Sequence, residues 1–148
     1  MAVKAIPDGY HSITPGMNVK ECDKAIEFLK KAFGAEERAR HVGPGGKIMH
    51  AEVKIGDSIV MLSEAAQQAP YTVHAMLYVM DCDAVFKRAI EAGATAKQPP
   101  TDMFYGDRGA RVVDPFGNDW FVATHKEDVA PEELEKRMKA MMSGGKPS

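Results

Sequence analysis

The stretch VMDCDAVFKRAIEAGA, Val79–Ala94, has an earlier counterpart in VKECDKAIEFLKKAFGA, Val19–Ala35. Val19 matches Val79, Cys22 matches Cys82 and Asp23 matches Asp83, each pair sixty residues apart. Both segments continue with apolar residues at helical spacing. In the first these are Ala25, Ile26, Leu29, Ala32 and Phe33; in the second, Val85, Phe86, Ala89 and Ile90. Each helix is predicted to start on the aspartate, Asp23 or Asp83, as N-cap, and to stop at a glycine, Gly34 or Gly93. A unit present in two copies points to a duplicated module with a pseudo-twofold axis rather than to a solenoid.

Each copy extends outward. Before the first helix, HSITPGMNV places Ile13, Met17 and Val19 on one side of a two-residue alternation. Before the second, VHAMLYV places Ala75, Leu77 and Val79 on one side and His74, Met76 and Tyr78 on the other. Three strand-like runs follow the first helix: EERARHVG, KIMHAEVKIG and SIVMLSEA, divided by GPGG from Gly43 and by Gly56-Asp57. Three more follow the second: ATAKQPP, ARVVD and DWFVATH, with PFGN from Pro115 as the last turn. Each half therefore reads βαβββ, which makes the fold class α+β. The chain is read as one domain, 1–148, with modules at about 10–66 and 71–126. The prolines at Pro70 and at Gln98-Pro99-Pro100 are placed in connections. A C-terminal helix is expected at about 130–142, with Pro131 in its first turn, before a disordered tail at 143–148.

Composition narrows the function classes. Lys plus Arg is 19 and Asp plus Glu is 21, a net charge of -2, which argues against a nucleic-acid partner. MAVKAIPDGY carries no long apolar run, so no signal peptide or membrane anchor is expected. Two cysteines do not make a disulfide framework, and a cytoplasmic, reduced protein is the expectation. Cys22 and Cys82 read either as thiols activated at helix N-termini or as small residues in equivalent packing positions. Ten methionines suit core filling and an adaptable apolar pocket.

Four stretches cover nearly the whole chain: ITPGMNVKECDKAIEFLKKAFGAEE, KIMHAEVKIGDSIVMLSE, FYGDRGARVVDPFGNDWFVATH and EDVAPEE. With the tandem modules, they resemble the vicinal oxygen chelate superfamily of glyoxalases, bleomycin-resistance proteins and dioxygenases, and its PhnB-like branch in particular. DPFGN is shared widely in that superfamily, whereas FYGDR points to the branch. The resemblance implies two curved sheets closing around a central cleft, helices on the outer faces, and a homodimer.

Metal-dependent members hold a divalent ion with His, Glu or Gln from the first and last strand of each module. Those positions fall here on Thr14, Met61, His74 and Phe121. His74 alone is a good ligand; threonine is a weak donor, a thioether is soft, and phenylalanine is none. The leading expectation is therefore an apolar cleft without metal or other cofactor, binding a small aromatic or amphipathic molecule. Its residues would be Thr14, Met61, His74, Met76, Tyr78, Tyr105, Arg108 and Phe121, with Tyr105 stacking on a ring and Arg108 meeting a carboxylate or phosphate. Equally, Asp107 and Arg108 could simply fix their loop. The alternative is a displaced divalent-metal centre built by His74 with His50, Glu52 or His125, serving an isomerase, lyase or dioxygenase. Trp120, alternating against Phe121, is expected under a helix.

Overall fold

The structure, a computed structural model, describes residues 2–66 and 69–144. The first module contains β1 (Gly16–Val19), α1 (Cys22–Phe33), β2 (Glu36–Val42), β3 (Ile48–Ile55) and β4 (Ser58–Glu64). The second contains β5 (His74–Tyr78), α2 (Cys82–Glu91), β6 (Thr95–Asp102), β7 (Asp107–Val113) and β8 (Asp119–His125), and α3 (Pro131–Gly144) follows. The first sheet has the order β1-β4-β3-β2 and the second β5-β8-β7-β6. In each, the first and last strands pair in parallel and the others antiparallel. The sixty-residue offset survives in the register: Gly16 pairs with Met61, and Met76 with Phe121.

Several local expectations are corrected. Asp23 and Asp83 lie in the first helical turns and are not the caps. Asp81 caps α2, its carboxylate accepting from Ala84 N at 3.1 Å. At α1 the carboxylate of Glu64, arriving from β4, accepts from Glu21 N and Cys22 N at 2.8 and 3.1 Å. The first strand is shorter than its alternation suggested, and Ile13 lies outside it, 84% exposed. Pro99 and Pro100 fall inside β6, not in a connection. β6 is an edge strand with irregular pairing around Gln98, where missing N–H donors are tolerated. Helix α3 continues to Gly144, and residues 145–148 of the expected tail lie outside the described residues.

The helix-facing sides of the two sheets share one core. Met17, Ile26, Leu29, Leu62, Val112 and Val122 are buried in it, and α1 packs beside α2. Aromatic edges join the modules: Phe33 meets Trp120 at 5.0 Å and Phe28 meets Phe116 at 6.5 Å between ring centroids. The turn from Asp114 to Asn118 is built around the Asp114 carboxylate, which accepts from Phe116 N, Asn118 N, Asn118 Nδ2 and Trp120 Nε1, each at 2.9 Å. Asn118 is fully buried, and its Oδ1 accepts from Val73 N at the entry to β5. The DPFGN motif thus has a physical basis, since one buried carboxylate ties a turn, a strand and the core tryptophan together.

Cys22 and Cys82 start their helices, and both are buried. Burial pushes the Cys22 thiol up to about 12 and also raises that of Cys82. Both thiols are therefore expected to resist a disulfide reagent in the folded protein at mildly alkaline pH and to react once urea unfolds the chain. Immediate labelling of the native protein would contradict this packing role.

Candidate functional site

Opposite α2, the second sheet presents an open face. Across β5 and β8, His74 stands beside Asp119, Met76 beside Phe121 and Tyr78 beside Ala123; across β8 and β7, Phe121 stands beside Arg111. Ala75, Trp120 and Val112 take the other side, towards the core. The Phe121 ring rests directly on Gly109, so close that a Cβ there would come within 2.5 Å of its Cζ. Arg111 donates through Nε to Asp119 Oδ1 at 2.9 Å and through Nη2 to Asp119 Oδ2. This pairing holds the Asp119 carboxyl below the usual carboxylate range. His74 Nδ1 lies 3.7 Å from Asp119 Oδ2, and its side chain is 75% exposed.

A second polar group occupies the far end of the same face. Asp107, buried, accepts from the Tyr78 hydroxyl at 2.7 Å and lies 2.7 Å from His125 Nδ1. His125 Nε2 lies 2.7 Å from Asp128 Oδ1. The Asp128 and Asp107 carboxylates raise the pKa of His125, and the bond to Asp107 raises that of Tyr78. A histidine whose folded pKa exceeds its unfolded one contributes stability fully below the unfolded value and loses it as pH rises through the folded value. The imidazole of His125 should accordingly titrate above the ordinary histidine value of about 6.5, and Asp128→Asn should bring the midpoint down. A proton NMR titration checks both, and a midpoint indifferent to Asp128→Asn would contradict the bridging role.

On the first sheet, Met61 stands beside Gly16 and Glu52. His50 Nε2 is 3.2 Å from Glu52 Oε2, and His41, directly opposite His50, brings its ring centroid to 6.0 Å from that of His50. Thr14 precedes β1 and with Met61 lines a cavity of about 500 Å³ that the N-terminal segment around Ile6 and Tyr10 also borders.

The predicted residues thus separate into groups. His74, Met76, Tyr78 and Phe121 share one face of the second sheet, whereas Thr14 and Met61 belong to the first module. Tyr105 sits in the turn before β7, half-buried, its ring edge-on to Phe104 at 5.3 Å. Asp107 and Arg108 are the first residues of β7. Arg108 points to the helix side, donating to Asp83 at 2.7 and 3.0 Å and to Asp102 at 3.1 Å. Of the two readings of this stretch, the structural bonds are the ones its side chains make.

For a metal centre, the donor set does not fit. Thr14, Met61 and Phe121 bring no strong ligand to join His74. His125 lies six residues along β8 from Asp119, the neighbour of His74, a separation of about 20 Å at strand rise. His50 and Glu52 belong to the other sheet. Among the described residues no group of three or more His, Cys, Asp or Glu is placed to hold an ion. Sequence reasoning missed Asp119, Arg111, Gly109 and His41. Asp119 could have been found, because it lies two residues before Phe121 and so shares its face. Arg111, Gly109 and His41 become neighbours only through cross-strand register.

A fold of two βαβββ modules with this open face defines the class of protein. Residues 10–122 match the sequence profile of the Glyoxalase/Bleomycin resistance protein/Dioxygenase superfamily, and the chain belongs to that superfamily. Uncharacterized proteins of Mycobacterium bovis and Mycobacterium tuberculosis H37Rv are each 34% identical to it. The matches cover 97% of this chain and 100% and 89% of those relatives. Among solved structures, TioX from Micromonospora sp. ML1 is 26% identical with a TM-score of 0.67, over 78% of this chain and 98% of TioX. TnmS3, an antibiotic binding protein from Streptomyces sp. CB03234, is 22% identical with a TM-score of 0.63, over 85% of this chain and 99% of its own, a likeness of fold. No helix among the described residues is long and apolar enough to cross a membrane.

Proposed function

We propose that this protein binds a small aromatic or amphipathic molecule against the face formed by His74, Met76, Tyr78 and Phe121, without the metal of the superfamily's metal-dependent members. The observation that carries the reading is the composition of that face. A phenylalanine ring and a methionine occupy its centre, and polar groups stand at the two ends. A few placed polar contacts around an apolar floor are what a small-molecule site needs. The resemblance to the superfamily puts Phe121 at one of the metal-ligand positions, where a phenyl ring can supply an apolar floor but no ligand. The antibiotic-binding relative of the same fold is consistent with such a use.

The open face of the second module turns away from the shared core, and Met76 and Tyr78 are exposed on it. A homodimer in which the face of one chain meets a face of its partner would close the cleft. The FYGDR stretch further supports membership of the PhnB-like branch, and the two unpaired cysteines suit a reducing, cytoplasmic setting. Thermal-shift screening of metal-stripped protein with an aromatic library tests the function. Stabilisation by at least one aromatic class, undiminished by chelator, is expected. A protein that gains ligands only after zinc, nickel, iron or manganese is restored would overturn it in favour of the enzyme reading.

A further inference from the structure

The second module's face also specifies charge. We infer that the ligand is a planar aromatic acid, its ring lying on Phe121 and its anionic group on Arg111, with Gly109 as the residue that makes the ring site flat. This rests on the binding reading above and deepens it.

Phe121 and Arg111 are directly opposed neighbours on β8 and β7. Side chains so placed start about 5 Å apart, a separation suited to a ring and its attached carboxylate. The backbone of Gly109 is ordinary strand; space, not conformation, asks for glycine there. A Cβ would stand 2.5 and 2.6 Å from Phe121 Cζ and Cε1, so any side chain would lift the ring off β7 and into the space a ligand would occupy.

Arg111 is held by one edge only. Its Nε and Nη2 are bonded to Asp119, while Nη1 makes no hydrogen bond among the described residues, and the side chain is 46% exposed. Asp119 therefore acts as a positioning residue that fixes the guanidinium and leaves one donor edge for a ligand. The charge around it is unbalanced. Arg111, Lys97 and, when protonated, His74 all act on the single Asp119 carboxylate and lower its pKa. Asp107, the other carboxylate of this face, is bonded to Tyr78 and His125 at the far end of the strands. The first module supplies the contrast. The counterparts of Phe121, Arg111 and Gly109 by register are Met61, Glu52 and His50, with a thioether in place of the phenyl ring, a carboxylate in place of the guanidinium and a side chain where the glycine leaves space. The preference for an anion belongs to the second module alone.

Calorimetric titration of the metal-stripped protein with 2-naphthoate, 2-naphthylmethylammonium and cyclohexanecarboxylate tests this. Naphthoate is expected to bind about tenfold more tightly than either of the others, the size of one charge-assisted contact or one buried ring face. Arg111→Gln should remove the preference for naphthoate over the ammonium. Gly109→Ala should remove the preference for naphthoate over the cyclohexane acid, and Phe121→Leu should do the same without crowding β7, which guards against a misfolded Gly109→Ala. Equal binding of the two naphthalenes, or preferences unchanged in Arg111→Gln and in both Gly109→Ala and Phe121→Leu, would overturn the inference while leaving small-molecule binding intact. Failure of all three probes to bind would overturn the binding reading itself, and this inference with it.

Discussion

Replacing Asp114 with alanine is expected to lower the unfolding free energy by about 3–5 kcal/mol, because the buried Asn118 N and Trp120 Nε1 would lose their acceptor at about 1–3 kcal/mol each and two further hydrogen bonds would go with them. The carboxylate receives four hydrogen bonds from three residues, and two of those residues, Asn118 and Trp120, are at most 3% exposed. Such burial keeps solvent from replacing the acceptor cheaply. The loss should also spread. Asn118 holds Val73 N at the start of β5, and Trp120 packs against Phe33 of α1, so the turn links the modules. Urea denaturation of the variant against the parent measures the change. A loss below about 1 kcal/mol, the scale of a typical surface substitution or less, would show that the turn is not the anchor described.

Two adjacent residues should behave in opposite ways. Trp120→Ala is expected to cost about 3–5 kcal/mol of stability, the usual range for deleting a large buried ring. Trp120 is 3% exposed, lies 5.0 Å from Phe33 and donates its indole N–H to Asp114. Phe121→Ala, one residue further on and across the sheet, should change stability by no more than about 1 kcal/mol. It should instead weaken binding of an aromatic ligand by at least about tenfold, because burying a ring face contributes roughly 1.5–3 kcal/mol. Denaturation and ligand titration on the same pair of variants separate the two roles. A strongly destabilised Phe121→Ala, or one that binds as the parent does, would place Phe121 in the core and not in the site.

How far the sequence can be read follows from the range of each interaction. The sixty-residue repeat reveals both modules, because helix period and strand alternation are local patterns that survive without contacts. The division of His74, Met76 and Tyr78 from Ala75 and Leu77 is legible for the same reason. The cap of α1 is not, since its acceptor, Glu64, lies 43 residues from Glu21. Pro99 and Pro100 suggest a connection because a paired strand would lose two donors; their place on a sheet edge removes that objection. Arg108 suggests a ligand contact only while its strand is begun at Ala110, and a strand that starts at Asp107 sends Arg108 to the helices. The aromatic floor is half visible: Phe121 follows from the repeat, but Gly109 beneath it and Arg111 beside it depend on how β7 registers with β8.

The central claim is that the face around Phe121 binds a small aromatic molecule with no metal taking part. Titrating isotopically labelled, metal-stripped protein with an aromatic ligand, and following backbone amide and histidine ring resonances, tests it most directly. Saturable shifts at His74, Met76, Arg111 and Phe121 in the presence of excess chelator are the predicted result. Shifts that appear only when a divalent metal is restored, or that leave these four residues unmoved while others respond, would contradict it.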